Sequence, residues 1–198
     1  MIDDIEANHE IDPARVYASG FSNGGMMAYR LACQMADRIA GIAAVSGASG
    51  QYDRSGNGYY ACAPTRPVRI LHFHATNDRN YPYAGGFGEG LSNTDFFPVE
   101  ATIADWRARN NLGPQTRIET PTATTTCIHH ESPLDTARAS APVTLCRSDP
   151  PDLFDPVNGI VFGGGHSWPG GSRSPSPGGD VPLQDFDAGA YLWGLLNR

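Results

Sequence analysis

The sequence lacks lysine altogether, because all 14 of its basic residues are arginine. Without lysine the chain can form neither a Schiff base with a carbonyl substrate nor a P-loop, whose lysine contacts phosphate. Basic residues are also outnumbered, since 21 acidic residues give a formal net charge of −7. This balance leaves no basic patch, so a nucleic-acid-binding function is not expected.

Long apolar runs and closely paired cysteines are also missing. No stretch approaches the ~18 apolar residues of a membrane-spanning helix. Residues 1–8 are acidic and lack the apolar centre of a signal peptide. The chain contains no CxxC pair and no cysteine at zinc-finger spacing from a histidine, so structural zinc is not expected. We predict no cofactor.

The four cysteines favour two disulfides. Their even number and wide spacing fit an oxidising compartment, and the alternative is four buried thiols in a cytosolic protein. We predict the pairs Cys33–Cys62 and Cys127–Cys146. The first would tie a helix to the loop before a buried strand, and the second would close a loop worth about 3 kcal/mol by chain entropy.

Short apolar runs alternate with helical segments, which predicts an α/β fold with a mostly parallel sheet covered by helices on both faces. We expect one domain over residues 1–198, with a Thr- and Pro-rich excursion at about 113–151 in which 127–128 and 143–146 could pair as a hairpin. Strands are expected at 16–19, 39–45, 68–74 and 159–162, and helices at 26–35, 99–110 and 186–196.

A candidate nucleophile lies between the first strand and the first of these helices. The pentapeptide GFSNG at 20–24 fits the pattern G-x-S-x-G, which places a serine on a sharp turn above the sheet. Small residues at Gly20 and Gly24 are expected to let strand and helix approach, and the helix N-terminus would favour an oxyanion. The alternative is an ordinary or phosphate-binding Gly-rich turn. The context favours Ser22 as a nucleophile.

Two later strand ends supply an acid and a base in the chain order of α/β-hydrolases, Ser then Asp then His. Asp78 follows the strand at 68–74, and His166 follows the strand at 159–162. We expect both strands to be parallel members of the sheet, so that both residues reach the carboxyl edge. His72 and His74 lie within a strand and precede Asp78, so neither is expected to be the base, although one could line the cleft. A further pair, at 129–130, is expected in a solvated loop.

Four segments, taken in order, resemble the secreted polyhydroxybutyrate depolymerase and feruloyl esterase family of α/β-hydrolases. They are GFSNGGMMA at 20–28, PVRILHFHATND at 67–78, YPYAGG at 81–86 and GGGHSWPGG at 163–171. The resemblance covers nearly the whole chain from 16 to 193. It implies an α/β-hydrolase fold, ester hydrolysis through Ser22, Asp78 and His166, no metal, and a secreted or periplasmic protein with disulfides. Ala75 departs from the family, which usually has glycine there.

The resemblance also marks a difference at the N-terminus. Members of the family carry a longer N-terminal part, which holds the first strands of the sheet and a His-Gly turn with one oxyanion-hole amide. We therefore expect a fold truncated at the N-terminus, with the strand at 16–19 as an uncovered edge. Only the amide of Asn23 can then be placed in the oxyanion hole. Self-association, most simply as a dimer, or a rebuilt N-terminal segment would cover such an edge.

Aromatic residues crowd the predicted carboxyl edge and suggest the substrate class. Trp168, two residues after the base, should line the site, and Phe21 and Tyr83 are further candidates for substrate binding. Aromatic walls suit acyl or aryl esters and apolar polyesters, whereas the alternative for most of these aromatics is that they pin loops. The substrate among polyhydroxyalkanoate, feruloyl, synthetic polyester and small esters stays open.

Three functional hypotheses follow from the residues. The first is a serine esterase that acts through an acyl-enzyme. The second is a non-catalytic remnant or binding domain that keeps the motifs but lacks a complete oxyanion hole. The third is a peptidase or thioesterase on the same fold, which the triad alone does not distinguish from an esterase.

Overall fold

The computed structural model of the chain describes residues 1–49, 60–89, 94–132, 140–155, 160–163, 165–172 and 180–196. The helices in these residues are α1 (Ile2–Asn8), α2 (Asn23–Gln34), α3 (Val99–Arg109) and α4 (Ala188–Leu196). The strands are β1 (Tyr17–Phe21), β2 (Gly41–Val45), β3 (Arg69–Ala75), β4 (Gly86–Phe87), β5 (Asp95–Phe96), β6 (Thr116–Glu119), β7 (Thr125–His130), β8 (Val143–Ser148), β9 (Asp152–Asp155) and β10 (Ile160–Gly163).

Six strands form the main sheet, in the spatial order β1-β2-β3-β8-β7-β6. The first four of these strands run parallel to one another, and β7 and β6 are antiparallel additions at the far end. Two-stranded sheets β9–β10 and β4–β5 lie outside it. The mostly parallel sheet confirms the predicted α/β class, and strand β2, which lies between β1 and β3, is buried at every residue, as its uninterrupted apolar run predicts.

The side chains of β3 alternate between two layers of the core, one on each face of the sheet. Ile70 packs in the same cluster as Tyr29 of α2 and Trp106 of α3. The next residue, Leu71, packs with Leu192 of α4 on the opposite face. Because side chains of a strand point alternately to the two faces, His72 and His74 belong to the α2 and α3 face. The sheet is therefore covered by helices on both sides, and both histidines of β3 lie on the side covered by α2 and α3.

The strand before His166 is paired differently from our prediction. We expected 159–162 to be a parallel member of the main sheet, but β10 pairs antiparallel with β9. Only residues 156–159 separate these two strands, and a parallel pair needs a crossover of about a dozen residues or more. The parallel position beside β3 is taken by β8, which also forms the predicted hairpin with β7. The 113–151 stretch thus contributes β6, β7 and β8 to the main sheet.

Both predicted disulfides are present. Cys33 of α2 is bonded to Cys62, and Cys127 of β7 is bonded to Cys146 of β8. The second pair joins two residues that lie directly opposite each other in the β7–β8 register. The first pair ties the helix that follows Ser22 to the segment that leads into β3. No cysteine is left free.

The outer edge of the sheet is formed by β1. This strand pairs with β2, and no strand pairs with its other side among the residues that the structure describes. Phe21, at its end, is 37% exposed. Among the same residues, no helix is both long and apolar enough to cross a membrane.

The turn from β1 into α2 has the sharp backbone of a nucleophile elbow. Ser22 has φ 55° and ψ −119°, a conformation that residues with a side chain rarely adopt and that typically costs about 1–3 kcal/mol. A Cβ built on Gly20 would lie 2.2 Å from the carbonyl group of Gly24, whereas a Cβ on Gly24 would meet nothing within 4 Å. The close approach therefore requires glycine at position 20, and our expectation of the same requirement at position 24 was wrong.

The two glycines of the turn should consequently respond differently to a methyl group. Gly20→Ala must push β1 and α2 apart, so we expect a loss of about 1–3 kcal/mol or more in the free energy of unfolding. The matched change Gly24→Ala should be neutral or stabilising by about 0.5–1 kcal/mol, because alanine is the better helix former. Urea unfolding of both variants measures the difference, and equal stabilities would contradict the steric account.

Candidate active site

The three residues predicted as a triad lie together at the carboxyl edge of the sheet. Oγ of Ser22 lies 2.9 Å from Nε2 of His166. Nδ1 of the same ring lies 2.9 and 3.1 Å from the two carboxylate oxygens of Asp78. Because Nδ1 faces a carboxylate, it carries the ring proton, and Nε2 is free to accept a proton from the Ser22 hydroxyl. This is the geometry of an activated serine.

Ser22 is held between a strand and a helix. Its amide donates to the carbonyl oxygen of Val45, at the end of β2, over 2.9 Å. Its own carbonyl oxygen accepts from the amide of Met26, which begins the hydrogen-bonding ladder of α2. Asn23 is the first residue of α2, so its amide belongs to the first-turn donors that the helix itself does not use. These constraints aim the Ser22 side chain out of the turn.

Asp78 occupies a tight turn just after β3. Its amide donates to the carbonyl oxygen of Ala75, and its carboxylate accepts from the amide of Tyr81 over 2.8 Å. The side chain is buried, with 3% of the residue exposed. A carboxylate in such surroundings needs donors on every side, because an unpaired buried charge is very costly.

The loop that carries His166 is pressed against the Asp78 turn. A Cβ on Gly165 would lie 2.4 Å from the amide nitrogen of Asp78, so only glycine allows the two loops to come this close. The carbonyl oxygen of Gly165 accepts from Oγ of Ser46, and the amide of His166 donates to Oδ2 of Asp180. His166 reaches the site through loop packing, because its preceding strand β10 lies outside the main sheet.

The hydrogen-bond donors around Asp78 lower its pKa by more than its burial raises it. Burial raises the pKa of this carboxyl, but the hydrogen bonds from His166 and His74 lower it to about 2. Since the pKa is below its ordinary value of 3.8, the pairing contributes stability that is fully present above about pH 4 and is lost as the pH falls toward 2. Asp78 is therefore ionised throughout the range in which a serine nucleophile works.

Asp180 is a second carboxylate at the site that sequence reasoning missed. It accepts the backbone N–H of His166 over 2.6 Å and so anchors the histidine loop. Burial and the nearby charge of Asp78 raise its pKa. The residue follows a Gly-, Ser- and Pro-rich stretch and belongs to no recognisable pattern, so the sequence carries no signal for this contact.

His72 and His74 also lie closer to Asp78 than the sequence indicates. Both are buried, and Nε2 of His74 lies 3.3 Å from Oδ2 of Asp78. The signal was visible, since the two histidines alternate along one face of β3 and Asp78 follows four residues after the second. Sequence reasoning considered them as bases, for which their position is wrong, and did not consider them as partners of the acid.

The candidate substrate-binding aromatics occupy different surroundings. The Phe21 ring centroid lies 4.9 Å from that of His166 and the ring is partly exposed, so it borders the site. Trp168 is half-buried and packs against the core layer under α4. The Tyr83 hydroxyl donates to Glu100 of α3, and its ring meets the edge of His74. Their roles in substrate binding stay predictions.

His129 and His130 lie in β7, so our expectation of a solvated loop was wrong. His129 is fully buried and its Nδ1 lies 3.1 Å from the hydroxyl of Thr144 on β8. Because side chains alternate along a strand, His129 shares its face of β7 with Cys127, and His130 lies on the other face. Within the residues that the structure describes, no cluster of His, Cys, Asp and Glu has the geometry to hold a metal ion.

Comparison with known proteins finds similarity to esterases. A family model described as phospholipase/carboxylesterase matches residues 2–90. The protein NocK of Nocardia uniformis subsp. tsuyamanensis, whose name says esterase and gives no substrate, is 30% identical over 182 residues, which are 87% of this chain and 47% of NocK.

Two further relatives have names that include a substrate. Feruloyl esterase B of Piromyces equi is 31% identical over 61% of the chain and 22% of its own length. Poly(3-hydroxyalkanoate) depolymerase C of Paucimonas lemoignei is 45% identical over 24% of the chain and 11% of its own length. The chain spans about half or less of the length of the curated relatives described here. By its mostly parallel sheet and these matches, the chain has an α/β-hydrolase fold and is similar to phospholipases and carboxylesterases, among them a feruloyl esterase and a poly(3-hydroxyalkanoate) depolymerase.

Proposed function

We propose that the chain hydrolyses carboxylic esters through a Ser-His-Asp triad. The observation that carries this proposal is the continuous contact from Ser22 through His166 to Asp78, with 2.9 Å at each of the two junctions. The strained backbone of Ser22 supports it, because such strain concentrates at functional sites. The esterase names of the relatives support the same reaction class.

The reaction follows from the proton positions. Oγ of Ser22 attacks the ester carbonyl carbon while Nε2 of His166 takes the hydroxyl proton, and Asp78 stabilises the imidazolium that forms. The C–O bond to the alcohol then breaks, and the alcohol leaves with the proton from Nε2. Water attacks the acyl-enzyme in the same way, so that the acid is released and Ser22 regains its proton. Asp78 stays ionised throughout.

The start of α2 is the proposed oxyanion site. The amide of Asn23 follows Ser22 directly and sits at the positive end of a 12-residue helix. A negative oxygen that forms beside Ser22 would meet this donor without any movement of the backbone. A second donor is typically worth about 10²–10³ in rate, and we propose that the working protein supplies one near the exposed end of β1.

The proposed substrates are esters of aromatic or hydroxyalkanoic acids. The partly exposed ring of Phe21 borders the catalytic histidine and offers an apolar surface to the acyl group. The substrates in the names of the relatives, feruloyl esters and poly(3-hydroxyalkanoate), have acyl groups of this kind. Trp168 and Tyr83 are kept as candidate contacts for the remainder of the substrate.

Replacing Ser22 with alanine should abolish turnover. Because triad members act as a unit, Ser22→Ala and His166→Gln should each lower kcat by at least about 10⁴-fold, and both should prevent labelling by a fluorophosphonate. Ser19→Ala is the matched control, since Ser19 is exposed on the same strand three residues away. Hydrolysis of p-nitrophenyl acetate, methyl ferulate, 3-hydroxybutyrate oligomers, a thioester and a peptide measures the reaction class.

Each alternative hypothesis has its own outcome in this experiment. A wild-type protein that binds these esters but neither hydrolyses them nor labels at Ser22 would be the binding domain of the second hypothesis. Labelling at Ser22 with turnover of only the peptide or the thioester would retain the triad and overturn the ester assignment.

We propose that a second copy of the chain covers the outer edge of β1. This edge carries the turn to Ser22, and exposed strand edges readily pair with another chain. Pairing about a two-fold axis would bring two Ser22 turns near one interface. Light scattering at micromolar concentration should therefore give twice the chain mass. A single-chain mass over the whole concentration range would contradict the proposal.

We further propose a secreted or periplasmic location. Two disulfides persist in an oxidising compartment and are rare in a reducing cytosol. Thiol titration of the protein isolated from its source should find no free thiol before reduction and four after it. Four free thiols in the isolated protein would overturn the location.

A further inference from the structure

A line of buried side chains continues the triad behind Asp78. Nε2 of His74 lies 3.3 Å from Oδ2 of Asp78 and 2.9 Å from the carbonyl oxygen of Tyr81. Nδ1 of His74 lies 3.0 Å from Nε2 of His72, and Nδ1 of His72 lies 3.0 Å from the hydroxyl of Tyr29. Tyr29, His72 and His74 are each at most 1% exposed. An ester-hydrolysing triad as such does not require these groups.

The acceptors in this line determine where its protons lie. Nε2 of His74 faces a carboxylate oxygen and a carbonyl oxygen, which are both acceptors, so it carries a proton. We assign Nδ1 of His74 as the acceptor in its 3.0 Å contact with Nε2 of His72, which then donates. Burial holds the pKa of His72 well below its usual range, so His72 is neutral, and with its proton at Nε2 its Nδ1 accepts the hydroxyl proton of Tyr29. Every donor in the line therefore points toward Asp78.

The line also closes a ring of contacts in the fold. Tyr29 belongs to α2, the helix that begins directly after Ser22. The path from Ser22 through His166, Asp78, His74 and His72 thus returns to the helix from which it started. The nucleophile and the acid are connected twice, once across the active site and once through the core.

We propose that His74 is a positioning residue for the catalytic carboxylate, with His72 and Tyr29 holding it in the tautomer that donates to Asp78. The inference rests on the proposed function. His74 supplies a third side to the donor set around Asp78, besides the Tyr81 amide and His166. It thereby fixes the carboxylate in the orientation that holds Nδ1–H of His166. It also weakens the stabilisation of the protonated His166 ring by the carboxylate, because a carboxylate that accepts more hydrogen bonds attracts the imidazolium less strongly.

Removing the donor should alter the catalytic ring as well as the rate. In His74→Leu we expect kcat to fall about 10–100-fold, the range typical of residues that orient a catalytic group, with KM changed less than about twofold. The acid limb of the pH profile of kcat/KM should move to higher pH, because a carboxylate with fewer donors holds the imidazolium more strongly. His74→Gln keeps an N–H near the position of Nε2 and should restore part of both effects.

Two further variants keep the test decisive if His74→Leu does not fold. Tyr29→Phe removes a hydroxyl and leaves the buried ring, and it should lower kcat about two- to fivefold, with a smaller shift of the acid limb in the same direction, since it removes one neutral hydrogen bond that is two residues away from the carboxylate. His129→Leu is the matched control, because His129 is equally buried but contacts Thr144 and lies away from Asp78. It should change stability without moving the acid limb.

A low-field proton NMR signal separates this inference from the proposed function. The Nδ1–H of His166, bonded to Asp78, should resonate far downfield in the wild type, and the signal should shift in His74→Leu and Tyr29→Phe but not in His129→Leu. This readout does not need turnover, so it holds even if the wild type hydrolyses no ester. Wild-type kcat, acid limb and resonance in both His74→Leu and Tyr29→Phe would overturn the positioning role and leave the esterase proposal intact.

Discussion

A buried carboxylate with a full set of donors is the interaction on which the rest of the site depends. Asp78 is almost entirely removed from solvent, and it stays ionised because the Tyr81 amide, His166 and His74 all donate to it. Each donor comes from a different part of the chain, namely the turn itself, the loop after β10 and the body of β3. Removing the hydrogen-bond partners of a buried charge lowers the stability of the fold by more than those partners contribute to it, because the charge is left unpaired. The side chain of Asp78 therefore holds these three parts of the chain together.

The backbone at the carboxyl edge is shaped to make this convergence possible. Gly20 lets α2 start immediately beside β1, and Gly165 lets the histidine loop touch the Asp78 turn. In both places a single methyl group would overlap backbone atoms of the facing segment. The strain at Ser22 is held by the hydrogen bond of its amide to β2 and by the ladder of α2. The site is thus built from close backbone contacts, while the hydrophobic layers on the two faces of the sheet hold the strands in place.

Because His72 and His74 lie on the α2 face of β3, buried polar side chains lie beneath the candidate site. Buried polar groups are stabilising only when each finds a partner, and these do, from Tyr29 to Asp78. The opposite face of the same strand is apolar, where Leu71 and Phe73 pack under α4. One strand therefore serves two functions, since Leu71 and Phe73 build the core under α4 while His72 and His74, on the other face, lie in line with the acid.

The names of the relatives bear on the class of reaction and substrate, and not on the geometry of the site. Their names cover an esterase with no stated substrate, a feruloyl esterase and a polyester depolymerase, and this chain corresponds to about half or less of each. The phospholipase/carboxylesterase family model spans residues 2–90, which include the serine turn. The triad does not determine substrate choice, and we propose that the surfaces around Phe21 and the β1 edge do.

The sequence by itself determined the elements and the order of the chemistry. Alternating apolar runs and helices predicted an α/β sheet, the G-x-S-x-G turn identified Ser22, and strand ends identified Asp78 and His166, because these signals are local and repeat within a few residues. Only the tertiary structure decided that β10 pairs with β9, that β8 lies beside β3, and that Asp180 and the Tyr29–His72–His74 line surround the triad. Among those contacts, His166 and Asp180 are 14 positions apart, and Tyr29 and His72 are 43 positions apart. Pairings at such separations depend on which strand edge and which buried donor remain available once the chain has packed, and no local pattern encodes that.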